Sequence, residues 1–76
     1  MILEKVKNVV AKEIGVEVEE LDVNASLADD LGVDSLEIFE IVIGLEEEFN
    51  IEIPNDDIAE IKTTVEIAKY IENKIG

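Results

Sequence analysis

"DSLEIFEIVIGLEEEFN", residues 34–50, sets the fold class more firmly than any other stretch of this chain. Asp34 followed three residues later by Glu37 has the form of a capping box, in which two side chains satisfy each other's backbone N–H groups at a helix start. Behind it Ile38, Ile41, Val42, Leu45 and Phe49 recur at helical spacing, and Asn50 can close the helix after about Phe49. Glu37, Glu40, Gly44 and Glu47 recur on the opposite side, an acidic stripe with one small residue in it. Ser35, one of two serines in the chain, lies in the first turn. A hydroxyl there sits beside unpaired backbone N–H groups and the positive end of the helix dipole, where a phosphate ester is accommodated electrostatically.

Towards the N-terminus, Leu3, Val6, Val10 and Ile14, widened by Ile2 and Val9, predict an amphipathic helix over 2–14 that Gly15 stops. Residues 16–33 form a long acidic connection, with Val18, Leu21, Val23, Leu27 and Leu31 as the anchors that pin it to a core. Towards the C-terminus, the residue before Pro54 favours extended backbone and a short helical piece over 56–61 follows. Thr63 and Glu66 then repeat the cap pattern, with Val65, Ala68, Ile71 and Ile75 as the apolar face of a last helix. The expected fold is all-α: a small bundle of three main helices and one short helix with a long first connection, a single domain over residues 1–76.

Composition narrows function. At 76 residues with no cysteine, an aliphatic core without disulfides must hold the domain together. No stretch approaches the roughly 18 apolar residues of a membrane helix, so no membrane insertion and a cytoplasmic location are expected. Six lysines against 20 acids give a net charge of −14, and from Glu13 to Ile61 there are 17 acids and no base. Such a surface repels nucleic acid and attracts basic protein surfaces or divalent cations. "DDLGVD" lacks the ligand spacing of a calcium loop, so no specific metal site is expected. Weak divalent-ion binding at Asp29, Asp30, Asp34, Glu46, Glu47 and Glu48 follows from charge density alone. Asn24-Ala25-Ser26 matches a glycosylation acceptor but is read as a loop tripeptide.

With no His, Cys or Arg, and every lysine in the terminal thirds, Ser35 has no partner of the usual hydrolytic kinds. The chain is therefore read as no enzyme. Ser35 is better suited to being another enzyme's substrate.

"LGVDSLE", the acidic helix ending "LEEEF", then "IEIP" and "TTVEIAKYI" resemble, over essentially the whole chain, the acyl carrier proteins of dissociated bacterial fatty acid synthesis. The resemblance implies that Ser35, with Asp34 and Leu36 as motif neighbours, carries a 4'-phosphopantetheine arm transferred from coenzyme A by a phosphopantetheinyl transferase. It also implies a monomeric carrier whose partners are fatty acid synthesis or acyltransferase enzymes with basic docking patches. The resemblance places this chain's docking face for them at Leu36, Glu37, Glu40, Ile43, Gly44, Glu46, Glu47, Asp56 and Glu60. Ile38, Val42, Ile53, Ile58, Ile61 and Ile67 become the acyl pocket.

Phe39, Ile43 and Gly44 depart from the commonest pattern of that family, and a bulky Phe39 narrows or reshapes the pocket. A specialised carrier for a polyketide, lipid A or other secondary pathway is one alternative. An unmodified acidic interaction subunit is another.

Overall fold

The computed structural model describes residues 2–59 and 61–76. Four helices follow one another: α1 (Ile2–Ile14), α2 (Ser35–Phe49), α3 (Asn55–Ile58) and α4 (Thr64–Ile75). No strand occurs among the described residues, and the radius of gyration is 11.1 Å, near the value of about 11 Å for a packed chain of this length. α1 packs against both α2 and α4.

α1 begins and ends where its apolar period does. Val6, Val10 and Ala11 are buried, and Leu3, Val9 and Ile14 pack partly against the core. Both predicted capping boxes are present. Asp34 accepts from Glu37 N at 2.9 Å, and Thr63 Oγ1 accepts from Glu66 N at 3.1 Å. Asn50 closes α2 in the left-handed conformation, φ 54°, which its short polar side chain tolerates.

The long connection is stitched down rather than loose. A 3₁₀ turn at Val18–Glu20 precedes buried Leu21, and two backbone bonds hold the following stretch to the start of α4: Leu27 N to Lys62 O at 2.9 Å and Val65 N to Val23 O at 3.1 Å. Leu31 is not an anchor. It is exposed, and Val33 takes the buried place, because Gly32 turns the chain with φ 69° between them.

Two further expectations shift. α3 spans 55–58 rather than 56–61, since Asn55 follows Pro54 directly into the helical turn. The buried face of α4 is Thr64, Ile67, Ala68 and Ile71; Val65 is half-buried and Ile75 exposed. Spacings of three and four from Thr64 follow the helix, whereas steps of three from Val65 drift around it.

Thr64 itself is wholly buried, and no described residue hydrogen-bonds its Oγ1. A buried hydroxyl without a partner costs about 1–3 kcal/mol. Thr64→Val, which keeps the branched shape and removes the hydroxyl, should therefore stabilise the fold by about 1 kcal/mol in urea unfolding. Thr64→Ser should destabilise it. A less stable Val variant would mean that the hydroxyl is satisfied.

Candidate functional site

Ser35 opens α2 and its residue is exposed. Because Asp34 supplies the cap and Glu37 Oε1 closes the box by accepting from Asp34 N at 3.4 Å, the helix start does not need the serine hydroxyl. Ser26 has the opposite role. Its Oγ accepts from Asp29 N at 3.2 Å, its N–H donates to Asp30 Oδ2 at 2.8 Å, and its carbonyl accepts from Asp30 N and Leu31 N. One serine holds a loop together while the other stands exposed at a helix end.

Beside Ser35 lies a cavity of about 340 Å³. Leu27 and Ala28 of the connection, Ile38 and Phe39 of α2, Ile58 of α3, and Ala59 and Ile61 just after it form apolar walls. Ser26, Asp29 and Lys62 complete the lining. An apolar pocket with a few polar groups suits an aliphatic ligand anchored at its mouth.

Of the six residues expected to form an acyl pocket, Ile38, Ile58 and Ile61 line this cavity. Val42, Ile53 and Ile67 do not. They are buried in the core cluster, Val42 from α2, Ile67 from α4 and Ile53 from the segment between α2 and α3. Leu27, Ala28 and Ala59 belong to the walls without having been singled out for them, since two are small and all three lie outside the long helices. Phe39 did carry a signal, as a bulky residue in an unexpected place.

The outward side of α2 is mixed. Leu36, Phe39 and Ile43 are 68%, 50% and 53% exposed, an unusual apolar share for a solvent face, and Glu40 and Glu47 are exposed alongside them. Glu37 is half-buried in the cap, and Glu46 is half-buried with Oε2 accepting from Ile53 N at 2.8 Å. That bond ties the segment after α2 back to the last turn of that helix. Gly44 faces α1: a Cβ there would meet Val9 Cγ1 at 3.0 Å. Its small size thus allows the close approach of two helices. Asp56 is exposed on α3, and Glu60 lies outside the described residues.

Among the described residues no three acidic side chains converge to hold a metal ion. Asp30, Asp34 and Glu46 instead accept from backbone N–H groups, which leaves charge density without a coordinating pocket.

The site is thus an exposed serine at a helix start, with an apolar cavity beside it and an acidic helix behind it. Residues 4–71 match the family model described as "Phosphopantetheine attachment site". The chain is 44% identical over 70 residues to an acyl carrier protein of Bdellovibrio bacteriovorus, covering 92% of this chain and 90% of the relative. It is 43% identical over 75 residues to one from Thermosynechococcus vestitus, covering 99% and 93%. A solved structure described as an acyl carrier protein from Mycobacterium tuberculosis superposes with a TM-score of 0.85 at 29% identity, over 95% of this chain and 96% of that one.

The chain belongs to the acyl carrier protein family, and its cofactor is a covalently attached 4'-phosphopantetheine. An exposed serine with an apolar cavity at its side fits such a group. No described helix is long and apolar enough to cross a membrane.

Proposed function

We propose that Ser35 bears the phosphopantetheine arm and that the chain carries acyl intermediates of fatty acid biosynthesis on it. The observation that carries this reading is the pairing of an exposed Ser35, relieved of capping by Asp34, with the cavity it borders. Loading is the work of the transferase. Ser35 Oγ forms a bond to the pantetheine-bearing phosphorus of coenzyme A, the diphosphate bond breaks, 3',5'-ADP leaves with the bridging oxygen, and the serine proton passes to a base of the transferase.

The arm supplies a thiol that holds acyl groups as thioesters. The protein's own contribution is to seat and shelter. The α2 start accommodates the phosphate, Ile38, Ile58 and Ile61 offer apolar surface to the chain, and Phe39 bounds the space available to it. Val42, Ile53 and Ile67 serve the core instead. The chain itself catalyses nothing.

Partners dock on α2, with Leu36 and Ile43 as apolar contacts and Glu40 and Glu47 as charges meeting basic patches, Glu37, Glu46 and Asp56 adding to the field. Exposed ion pairs are each worth about 0–1 kcal/mol, so complexes are brief while encounter is steered and fast. A monomer leaves this face open. Coenzyme A and its transferases belong to the cytoplasm, which is the compartment this function requires.

The test is to load the modified protein with an acyl group through an acyltransferase and follow one hydroxylamine-labile acyl group per chain. The second-order loading rate should fall several-fold as salt rises from about 10 to 150 mM, as the Debye length shortens. No labile acyl group on the modified protein would overturn the carrier function; a rate indifferent to salt would overturn acidic docking.

A further inference from the structure

The wall of the cavity that is least secured by its own helix is α3. It has four residues, and its N-cap position is Pro54, which makes no side-chain cap bond. A helix of this length does not persist on local bonds alone. Asp56 and Asp57 lie in its first turn, a favourable end for acids, but the dipole of so short a helix is small. Yet Ile58 and Ala59 form one side of the cavity beside Ser35. Something outside α3 must set where that side stands.

A tie crosses from α4. Tyr70 Oη donates to Asp57 Oδ2 at 2.5 Å, a partly buried bond between side chains 13 residues apart. The donor end is itself well placed. Tyr70 packs against the core cluster from the middle of α4, a 12-residue helix with a capping box, and Lys74 Nζ stands 5.8 Å from the ring centroid. A rigid ring on a secured helix thus grips a carboxylate one residue before a wall residue. Hydrogen bonds with an ionised partner are shorter and stronger than neutral ones.

We propose that Tyr70 is a positioning residue: through Asp57 it fixes α3 as the closing wall of the cavity beside Ser35, and so sets how well an aliphatic acyl chain is sheltered there. This rests on the carrier function above for the identity of the ligand, though not for the tie itself. Tyr70 is not among the residues that line the cavity, so it acts through Asp57.

Two readouts on the unmodified protein test the tie. In Tyr70→Phe, hydrogen exchange of the amides in 55–61 should quicken by about tenfold, the order that loss of one charge-assisted hydrogen bond produces, while α1 and the middle of α2 stay unchanged. Tyr70 is the sole tyrosine and there is no tryptophan, so its emission reports the bond directly. Asp57→Ala should change that emission, and Asp57→Asn, which keeps an acceptor, should restore exchange in 55–61 towards the wild-type rate.

The third readout uses the loaded protein. Hydroxylamine should cleave an octanoyl thioester several-fold faster in Tyr70→Phe than in wild type, and an acetyl thioester at the same rate in both. Unchanged exchange in 55–61, or equal acceleration for both chain lengths, would overturn the proposal. Quickened exchange without faster octanoyl cleavage would overturn it as well, by showing that the tie holds α3 but not the cavity. A protein that takes no arm at Ser35 fails the carrier reading instead, with the exchange and emission results standing apart.

Discussion

Ser35→Ala should abolish attachment of phosphopantetheine while leaving the melting temperature within about 4 °C of wild type. Both halves come from the same geometry. The start of α2 is capped by the Asp34 carboxylate at 2.9 Å from Glu37 N and by the reciprocal Glu37 bond, so deleting the serine hydroxyl removes no bond that the fold uses. A surface substitution away from such features changes stability by less than about 0.5 kcal/mol, and alanine is at least as good a helix former as serine. Loss of the nucleophile is, by contrast, complete. The informative contrast is Asp34→Ala, which removes the cap and should cost about 1 kcal/mol and several degrees. Circular dichroism melts and intact mass after incubation with coenzyme A and a transferase check all three proteins. Residual loading of Ser35→Ala would move the site elsewhere, with Ser26 the next hydroxyl to examine.

Leu45→Ala should bring the protein to the edge of unfolding. Leu45 has no exposed surface, lies on the face of α2 that meets the core cluster, and is flanked by buried Ile41 and Val42. Truncating a buried leucine costs about 2–5 kcal/mol, the higher values where the surroundings cannot collapse into the space. Here Gly44 next to it already lets α1 come close, with a Cβ only 3.0 Å from Val9 Cγ1, so little further approach is available. A 76-residue domain without disulfides, carrying a net charge of −14, has little reserve. At about 4–8 °C per kcal/mol for a domain of this size, the melting temperature should fall by about 15 °C or more. High salt should raise both melting temperatures and leave the gap between them, because screening relieves the same self-repulsion in both proteins. A shift of only a few degrees would place Leu45 outside the core.

What the sequence announced, it announced through caps and period. Asp34 with Glu37, Thr63 with Glu66, and Asn50 after Phe49 are local chemistries whose geometry depends on three or four neighbouring residues, and each is found as expected. α1 carries an unbroken apolar period and its ends are legible to the residue.

Where the outcome depended on residues far apart, local pattern was insufficient. Leu31 and Val33 are both aliphatic, and Val33 faces inward where the turn at Gly32 brings its N–H to Leu27 O, six residues back. The polar appearance of Thr64 concealed that the first turn of α4 lies under the connection, where Val65 N reaches Val23 O, and this displaced the expected apolar face. The cavity was half legible for the same reason. Ile38, Ile58 and Ile61 could be named, but Leu27 and Ala28 enter its wall only because Leu27 N bonds Lys62 O and brings the connection to that side of α2. The tie from Tyr70 to Asp57 spans 13 positions and has no periodic trace at all.

The most direct measurement locates the modification. Intact wild-type protein, incubated with coenzyme A, magnesium and a phosphopantetheinyl transferase, is weighed and then fragmented to the residue. With no base from Glu13 to Ile61, a trypsin cut after Lys12 is followed by none until Lys62, and both serines fall in that one peptide, so backbone fragmentation must separate them. The expected result is a gain of one phosphopantetheine, entirely on Ser35. An unmodified chain, or a modification borne by Ser26 or any threonine, contradicts it.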